Sequence, residues 1–398
     1  MKRIVVLCDG TWNRADAAHP TNVVRVAQAL APADTEGVAQ VPIYIEGVGT
    51  GRGSNRAARF SDRILGGALG HGLLDNMVQA YARIVFMFEP EDEIYIFGFS
   101  RGAFTARALA GFIRMTGILS RNRMSMLPIA IERFRRRGDP TTAPKTEDSM
   151  AFRLNLSPDV ITGDEEIAFR EDLGVPSAPK VKLKYLGVWD TVGALGVPRH
   201  WLMASWINRD KYEFYDRELS SLVQRGRHAI ALDETRRTFP PTLWTNLPEL
   251  NNHETGENVP FQERYFAGDH GSVGGGGDIR ALSDIALEWI LMGVKDQGLT
   301  YDAQALEDFR NVQDPNGPLH NHSVRRNSLP ERLMRRNPEH RAGPGSIDEL
   351  YDTARARWAT GPGPDEDRTK PYRPGSLKRV EQELAAFHTA DDPATRVA

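Results

Sequence analysis

The sequence predicts an α/β fold built on a mostly parallel central sheet, and three observations predict it. Short apolar runs rich in β-branched residues alternate with segments of helical spacing, the pattern of strands joined by crossover helices. The first run, residues 4–8, is apolar throughout and stops at Asp9-Gly10, as a strand buried on both faces would. Finally, Ile94-Tyr95-Ile96-Phe97 leads into Gly98-Phe99-Ser100-Arg101-Gly102 and then a stretch rich in small residues, so a strand, a tight turn and a helix follow one another.

The other elements fall into line with these. Residues 21–30 have helical spacing, with Thr21 or Asn22 placed to cap them. Further strands are expected at 41–45, 93–99, 181–188 and 264–267, and helices at 73–88, 103–115 and 279–297. Polar, Pro-containing insertions fill residues 121–180 and 199–219 and are expected to cap the site of such a fold. Beyond about residue 300 the composition shifts to Pro, Asn, Arg and Asp, and residues 361–374 read as an extended loop. The expected organisation is one domain over 1–378, followed by a helix and polar tail over 379–398.

Composition removes several classes. A chain of 398 residues can bury a large core without staples, and its single cysteine, Cys8, excludes an internal disulfide and fits a reducing compartment. A formal net charge of −3 gives no global attraction to nucleic acid, and the basic clusters at 133–137 and 332–336 read as solvated faces. The apolar run after Met1-Lys2-Arg3 is too short for a signal peptide, and no stretch approaches the ~18 apolar residues that span a bilayer. A soluble, cytoplasmic chain is therefore expected, with any export using a route that needs no cleaved signal. Peripheral contact with a membrane is compatible with this reading, and oligomeric state is not legible.

The Gly98–Gly102 segment matches Gly-x-Ser-x-Gly in the setting that gives the pattern meaning. A serine on a sharp strand-to-helix turn has a strained backbone, and glycines on either side remove side chains that would collide with neighbouring elements. The turn lifts the hydroxyl off the sheet and aims the Arg101 backbone N–H at a developing oxyanion. Ser100 is thus the expected nucleophile, and the fold narrows to an α/β-hydrolase-like one: a mostly parallel sheet flanked by helices, with cap insertions.

Such a serine needs a base, and the imidazole needs a carboxylate to fix its tautomer. In α/β hydrolases the order is Ser, then Asp or Glu, then His. Strand residues Tyr185-Leu186-Gly187-Val188-Trp189 end in Asp190, and Glu263-Arg264-Tyr265-Phe266 lead to Asp269-His270. Both segments place a polar residue past the carboxyl end of a strand, where open parallel sheets put their sites. His270 is the expected base among ten histidines, followed by an apparently flexible glycine run at 274–277. Asp190 is the expected orienting acid, with Asp233 and Asp269 as rivals; Asp269 adjoins His270 and would struggle to reach its ring.

Asp9-Gly10-Thr11-Trp12-Asn13 follows the first strand. It is reminiscent of Asp-x-Asp-Gly-Thr phosphatases, but their attacking aspartate would fall at Leu7, which cannot attack phosphorus. The loop reads instead as the source of a second oxyanion donor, the N–H of Gly10 or Thr11, with the Asp9 carboxylate bracing it. The glycine stretches 47–53 and 274–277 lack the Lys-Ser/Thr ending of a phosphate loop. No metal-ligand spacing is present, so neither metal nor cofactor is expected.

Taken together, Asp9-Gly10-Thr11-Trp12-Asn13, Gly98-Phe99-Ser100-Arg101-Gly102 with Arg107, and Val188-Trp189-Asp190-Thr191-Val192-Gly193 resemble the catalytic-domain family of type VI secretion phospholipase effectors. Later segments agree, among them Ala231-Leu232-Asp233-Glu234, Phe239-Pro240-Pro241-Thr242-Leu243-Trp244, Phe266 to His270, and Tyr372-Arg373-Pro374. The resemblance implies an α/β-hydrolase fold, hydrolysis of glycerophospholipid esters, and triad roles falling on Ser100, Asp190 and His270. In one place the chain departs from it: Ser272 stands where the family usually has aspartate.

The expected function is two-step acyl transfer from a lipid or phospholipid ester, with a small soluble ester or an idle lipid- or protein-binding hydrolase-like domain as alternatives. The partner is a small-molecule ester or lipid, not nucleic acid. Within the insertion at 199–219, Trp201 and Trp206 are expected to line an acyl-binding surface, because that segment is more apolar than a solvated loop.

Overall fold

The structure is a computed structural model that describes residues 1–49, 67–193, 217–321, 338–361 and 369–391. Strands β1 (Arg3–Cys8), β2 (Gln40–Ile45), β3 (Glu93–Phe99), β4 (Lys182–Trp189), β5 (Gly226–Ala231) and β6 (Phe261–Phe266) form one sheet in the order β2-β1-β3-β4-β5-β6. All five pairings are parallel. The fold is therefore the expected α/β class, hydrolase-like, with its mostly parallel sheet flanked by helices.

Alternation along the strands explains the two layers. Ile4, Val6 and Cys8 of β1 face a cluster with Met77, Ala80, Tyr81, Ala106 and Leu109, which belong to α2 (Gly67–Met87) and α3 (Arg101–Thr116). Val5 and Leu7 face the opposite cluster with Val23, Val26, Leu282 and Ile285. That second layer is built by α1 (Asn22–Ala29) and α9 (Ala281–Met292). A parallel strand covered on both faces must be apolar at every position, which is why β1 was legible as an unbroken apolar run. Thr21 caps α1 through its side chain.

The insertion at 121–180 folds into α4 (Leu127–Arg135), α5 (Glu147–Leu156) and α6 (Glu165–Asp172). Its anchors go to the C-terminal half of α3. Phe134 meets Phe112 edge-on at 5.2 Å, Arg114 Nη1 donates to Thr162 Oγ1 at 2.9 Å, and Ser157 Oγ donates to the Thr116 carbonyl at 2.7 Å. The expected cap is thus corrected for this segment: it is a helical layer at the end of α3 remote from Ser100. Of the insertion at 199–219 only 217–219 are described, where Leu219 is buried in the core. Trp201 and Trp206 lie outside the described residues.

Three further differences have physical causes. β5 was not expected, because Arg227 and His228 interrupt its apolar pattern. In the structure Arg227 Nη1 donates to the Trp289 carbonyl at 2.5 Å. The fully buried His228 accepts from the Thr191 N–H at Nε2, 3.0 Å, and so donates from Nδ1 to the Glu263 carboxylate at 2.7 Å. Helix α9 stops at Met292 rather than running to 297: Gly293, a poor helix former, follows it, and a short 3-10 turn takes over at Lys295–Gln297. Nor is the glycine run a flexible loop: Gly275 has φ +79° and lies against Asn22, and a Cβ at Gly274 would run into the Phe99 ring. Glycine is required there by close packing, not by mobility.

After the short α7 (Leu247–Leu250) and β6, the chain forms α8 (His270–Gly274), α9, α10 (Ala303–Val312), α11 (Asp352–Ala359) and α12 (Glu381–Asp391). Ile230, Leu232 and Tyr265 of the β5–β6 edge bury themselves against Trp358, Tyr372, Leu377, Val380 and Leu384. Val380, just before the terminal helix, and Leu384 within it are part of this same core.

Candidate active site

Because every strand is parallel, the carboxyl ends of β3, β4 and β6 lie on one edge of the sheet. Ser100 follows β3, Asp190 follows β4, and His270 follows β6. Ser100 sits at φ 59°, ψ −123°, a conformation L-residues avoid, between β3 and α3. The flanking glycines make that turn feasible: a Cβ at Gly98 would lie 2.6 Å from the Gly102 carbonyl oxygen, and one at Gly102 would collide with the backbone of Cys8 and Asp9. The Ser100 N–H donates to the Trp189 carbonyl at 3.0 Å, tying the turn to β4 beside Asp190.

The structure brings the three residues together. His270 Nε2 lies 2.8 Å from Ser100 Oγ, and His270 Nδ1 lies 2.6 Å from Asp190 Oδ2. The imidazole packs against Phe99, centroids 4.7 Å apart, and edge-on against Phe239 at 5.0 Å. These two rings and the hydrogen bonds leave it little rotational freedom. Asp269 cannot serve as the orienting acid because its oxygens are taken elsewhere. One caps α8 through the Ser272 N–H at 3.1 Å, and the other faces His320 Nδ1 at 2.9 Å. Burial raises the Asp269 carboxyl, but the His320 hydrogen bond and charge outweigh it and hold the group down at about 2. Asp233 is also engaged, accepting from the Gly268 N–H at 2.7 Å and the Tyr372 hydroxyl at 2.8 Å.

One further residue meets this group, and it was not foreseen. Arg341 grips Asp190 with both arms, Nη1 to Oδ1 at 2.6 Å and Nη2 to Oδ2 at 3.0 Å. It also donates to the carbonyls of Ala231 at 2.8 Å and Phe239 at 2.7 Å. The Ala231 N–H adds a bond to Asp190 Oδ1 at 2.9 Å. Burial would raise the Asp190 carboxyl, but the Arg341 charge, together with the His270 and Arg341 hydrogen bonds, holds it well below the usual carboxylate range. No local pattern around Glu339-His340-Arg341 marks this role, since the arginine reaches the site only through tertiary docking.

The first loop behaves partly as expected. Asp9 is buried; its carboxylate accepts from Tyr44 at 2.7 Å, from Thr21 Oγ1 at 2.9 and 3.0 Å, and from the Gly10 N–H at 2.7 Å. The Gly10 N–H is therefore committed to Asp9, which removes it as an oxyanion donor and leaves Thr11. The Thr11 hydroxyl is buried without a hydrogen-bond partner among the described residues. The loop lies against Ser100, since a Cβ at Gly10 would be 3.2 Å from Ser100 Cβ. Burial pushes the Asp9 carboxyl up from 3.8 to about 6, more than its donors pull it down. Ser272, where aspartate was expected, donates to the Leu319 carbonyl at 2.8 Å and so still braces the loop after β6. Among the described residues no group of His, Cys, Asp and Glu is arranged to hold a metal.

The α/β fold thus sets a serine on a strained strand-to-helix turn against a histidine–aspartate pair. The chain belongs to the family described as T6SS, phospholipase effector Tle1-like, catalytic domain, whose model matches residues 2–293. Arg341 lies beyond that matched span. The chain is 29% identical over 259 residues to an uncharacterized protein of Saccharomyces cerevisiae, a match covering 63% of this chain and 33% of the relative, so it spans about a third of that protein's length. Among solved structures it is similar to an uncharacterized protein from Pseudomonas aeruginosa, at 16% identity, TM-score 0.37, covering 77% of this chain and 47% of the other. It is also similar to the Tle1 effector bound to the VgrG spike from the Type 6 secretion system, at 17% identity, TM-score 0.34, covering 70% and 52%.

The Arg341 clamp makes a stability prediction. Arg341→Ala leaves Asp190 buried and half-compensated, which costs about 3–5 kcal/mol at pH 7, while Arg341→Lys retains part of it. Denaturant melts of folded samples check this, and an Ala variant within about 0.5 kcal/mol of wild type contradicts the clamp.

Asp9 makes a pH prediction. Its folded pKa of about 6 exceeds the unfolded value of 3.8, so its contribution to stability is present at low pH and lost as pH rises through about 6. Asp9→Asn lacks that loss. The melting temperature of the variant relative to wild type should therefore rise between pH 4 and pH 8, by the equivalent of about 2–3 kcal/mol. A flat or falling difference contradicts it.

Proposed function

We propose that the chain is a serine hydrolase of carboxylic esters, with phospholipid acyl esters as its substrate class. The observation that supports this reading best is the chain of contacts Ser100 Oγ to His270 Nε2 at 2.8 Å and His270 Nδ1 to Asp190 at 2.6 Å. Hydrogen-bond reach between nucleophile, base and orienter is the geometry that acyl transfer requires. Membership in a phospholipase effector family supports the choice of a lipid ester.

In this proposal Asp190 accepts the Nδ1 proton of His270 in a hydrogen bond and fixes the tautomer that leaves Nε2 basic. His270 takes the Ser100 proton as Oγ attacks the ester carbonyl, and the carbonyl electron pair moves onto oxygen. The N–H of Arg101 and the N–H and hydroxyl of Thr11 face that oxyanion. Collapse breaks the bond to the leaving alcohol, which departs with the proton from His270. Water then gives His270 a proton, attacks the acyl-Ser100 ester and releases the carboxylic acid, and the proton returns to Ser100. No cofactor enters this scheme. Trp201 and Trp206, on sequence grounds, are assigned the acyl-facing surface. The family description also supports delivery by a type VI secretion system.

The test is a panel of phospholipids and chromogenic esters given to wild type and Ser100→Ala. A folded Ser100→Ala protein should keep less than about 1% of the activity, because serine nucleophiles of this type contribute far larger rate factors. More than that would remove Ser100 from the role.

A further inference from the structure

The buried and half-buried arginines around the site are each matched by an acceptor. Arg341 holds Asp190, Arg236 pairs with Glu234 at 2.6 Å, Arg25 pairs with Asp284, and Arg107 donates to the Thr242 carbonyl at 2.5 Å. Arg101, the residue after Ser100, is different. It is half-buried, and its guanidinium has neither an ion pair nor a hydrogen bond among the described residues. It lies over an aromatic face: Cζ is 5.8 Å from the centroid of the Trp12 ring. Burial, with no carboxylate opposing it, pushes the guanidinium down from 12.5 to about 10.

Trp12 adds the second half of the observation. It is held at φ +63°, and 48% of it is exposed. It belongs to the same loop, Gly10 to Asn13, that abuts Ser100. A partly desolvated cation without a counter-charge is costly, and such groups concentrate where a ligand supplies the missing charge. The indole face steadies the planar guanidinium through cation–π attraction. Arginine's fork of donors is matched to the two non-bridging oxygens of a phosphate.

We propose that Arg101 and Trp12 form an anion subsite beside Ser100 that receives the phosphodiester of the substrate. This rests on the ester-hydrolase reading above and sharpens it: the preferred substrate bears a phosphate near the scissile ester, and a neutral acylglycerol is the poor one. Arg101 then has two separate duties, with its backbone N–H facing the oxyanion and its side chain selecting the headgroup.

The experiment compares kcat/KM for a phospholipid and a diacylglycerol with the same acyl chains, in the same mixed micelles. Wild type favours the phospholipid. In Arg101→Gln the ratio of the two kcat/KM values falls about tenfold or more, the size expected for one charge-assisted contact, whatever loss both substrates share. Arg101→Lys, which keeps the charge, retains most of the ratio. Calorimetric titration of glycerol 3-phosphate provides a readout independent of turnover: it binds wild type and binds Arg101→Gln about tenfold more weakly or not at all. An unchanged ratio in folded Arg101→Gln, or equal glycerol 3-phosphate binding by both proteins, overturns the subsite. If no ester is hydrolysed, the proposed function fails while the titration still decides the subsite. If the ratio falls but glycerol 3-phosphate does not bind, the phosphate is recognised only as part of a lipid.

Discussion

Asp190 carries a charge with no measurable exposure to solvent, and the arrangement of the site follows from how that charge is satisfied. A lone carboxylate in such a place would take up a proton. Here Arg341, the Ala231 N–H and His270 occupy both oxygens, so the carboxylate stays ionised and can hold one imidazole tautomer. The clamp also reaches across the molecule. Arg341 comes from the segment that docks on β5 and β6, and its other donors hold the carbonyls of Ala231 and Phe239. Phe239 in turn packs on His270. The C-terminal segment is thereby joined to His270 as well as to Asp190.

A second network of the same kind sits at the other side of Ser100. Asp9 gathers Tyr44 from β2, Thr21 at the head of α1, and the Gly10 N–H. Thr21 also caps α1, and Asn22 donates to the carbonyls of Val273 and Ser283 at 3.0 Å each. The first loop is thus connected through α1 to the turn that follows His270. Strain at Ser100 persists because both sides of it are fixed in this way.

The sheet and the trio Ser100, Asp190 and His270 were legible because each rests on a local signal: an apolar strand, then a polar residue at its carboxyl end. β5 was hidden because its polar residues are satisfied by partners distant in sequence, Arg227 by Trp289 and His228 by Thr191 and Glu263. Arg341 was invisible for the same reason, lying more than 150 positions from Asp190 with no periodicity around it. The choice between Gly10 and Thr11 needed the direction of one carboxylate, which sequence does not give. The glycine run at 274–277 was misjudged as mobile because composition alone cannot distinguish a loose glycine from one pressed against Phe99.

In the proposed mechanism Asp190, held ionised, activates Ser100 through His270. The most direct measurement is the rate of covalent labelling by a fluorophosphonate, with the adduct mapped by peptide mass spectrometry, on wild type and Asp190→Asn. The account predicts an adduct on Ser100 in wild type and at least a hundredfold slower labelling in the folded Asn variant, which disfavours the required tautomer. Labelling at another residue, or equal rates in the two proteins, would contradict it.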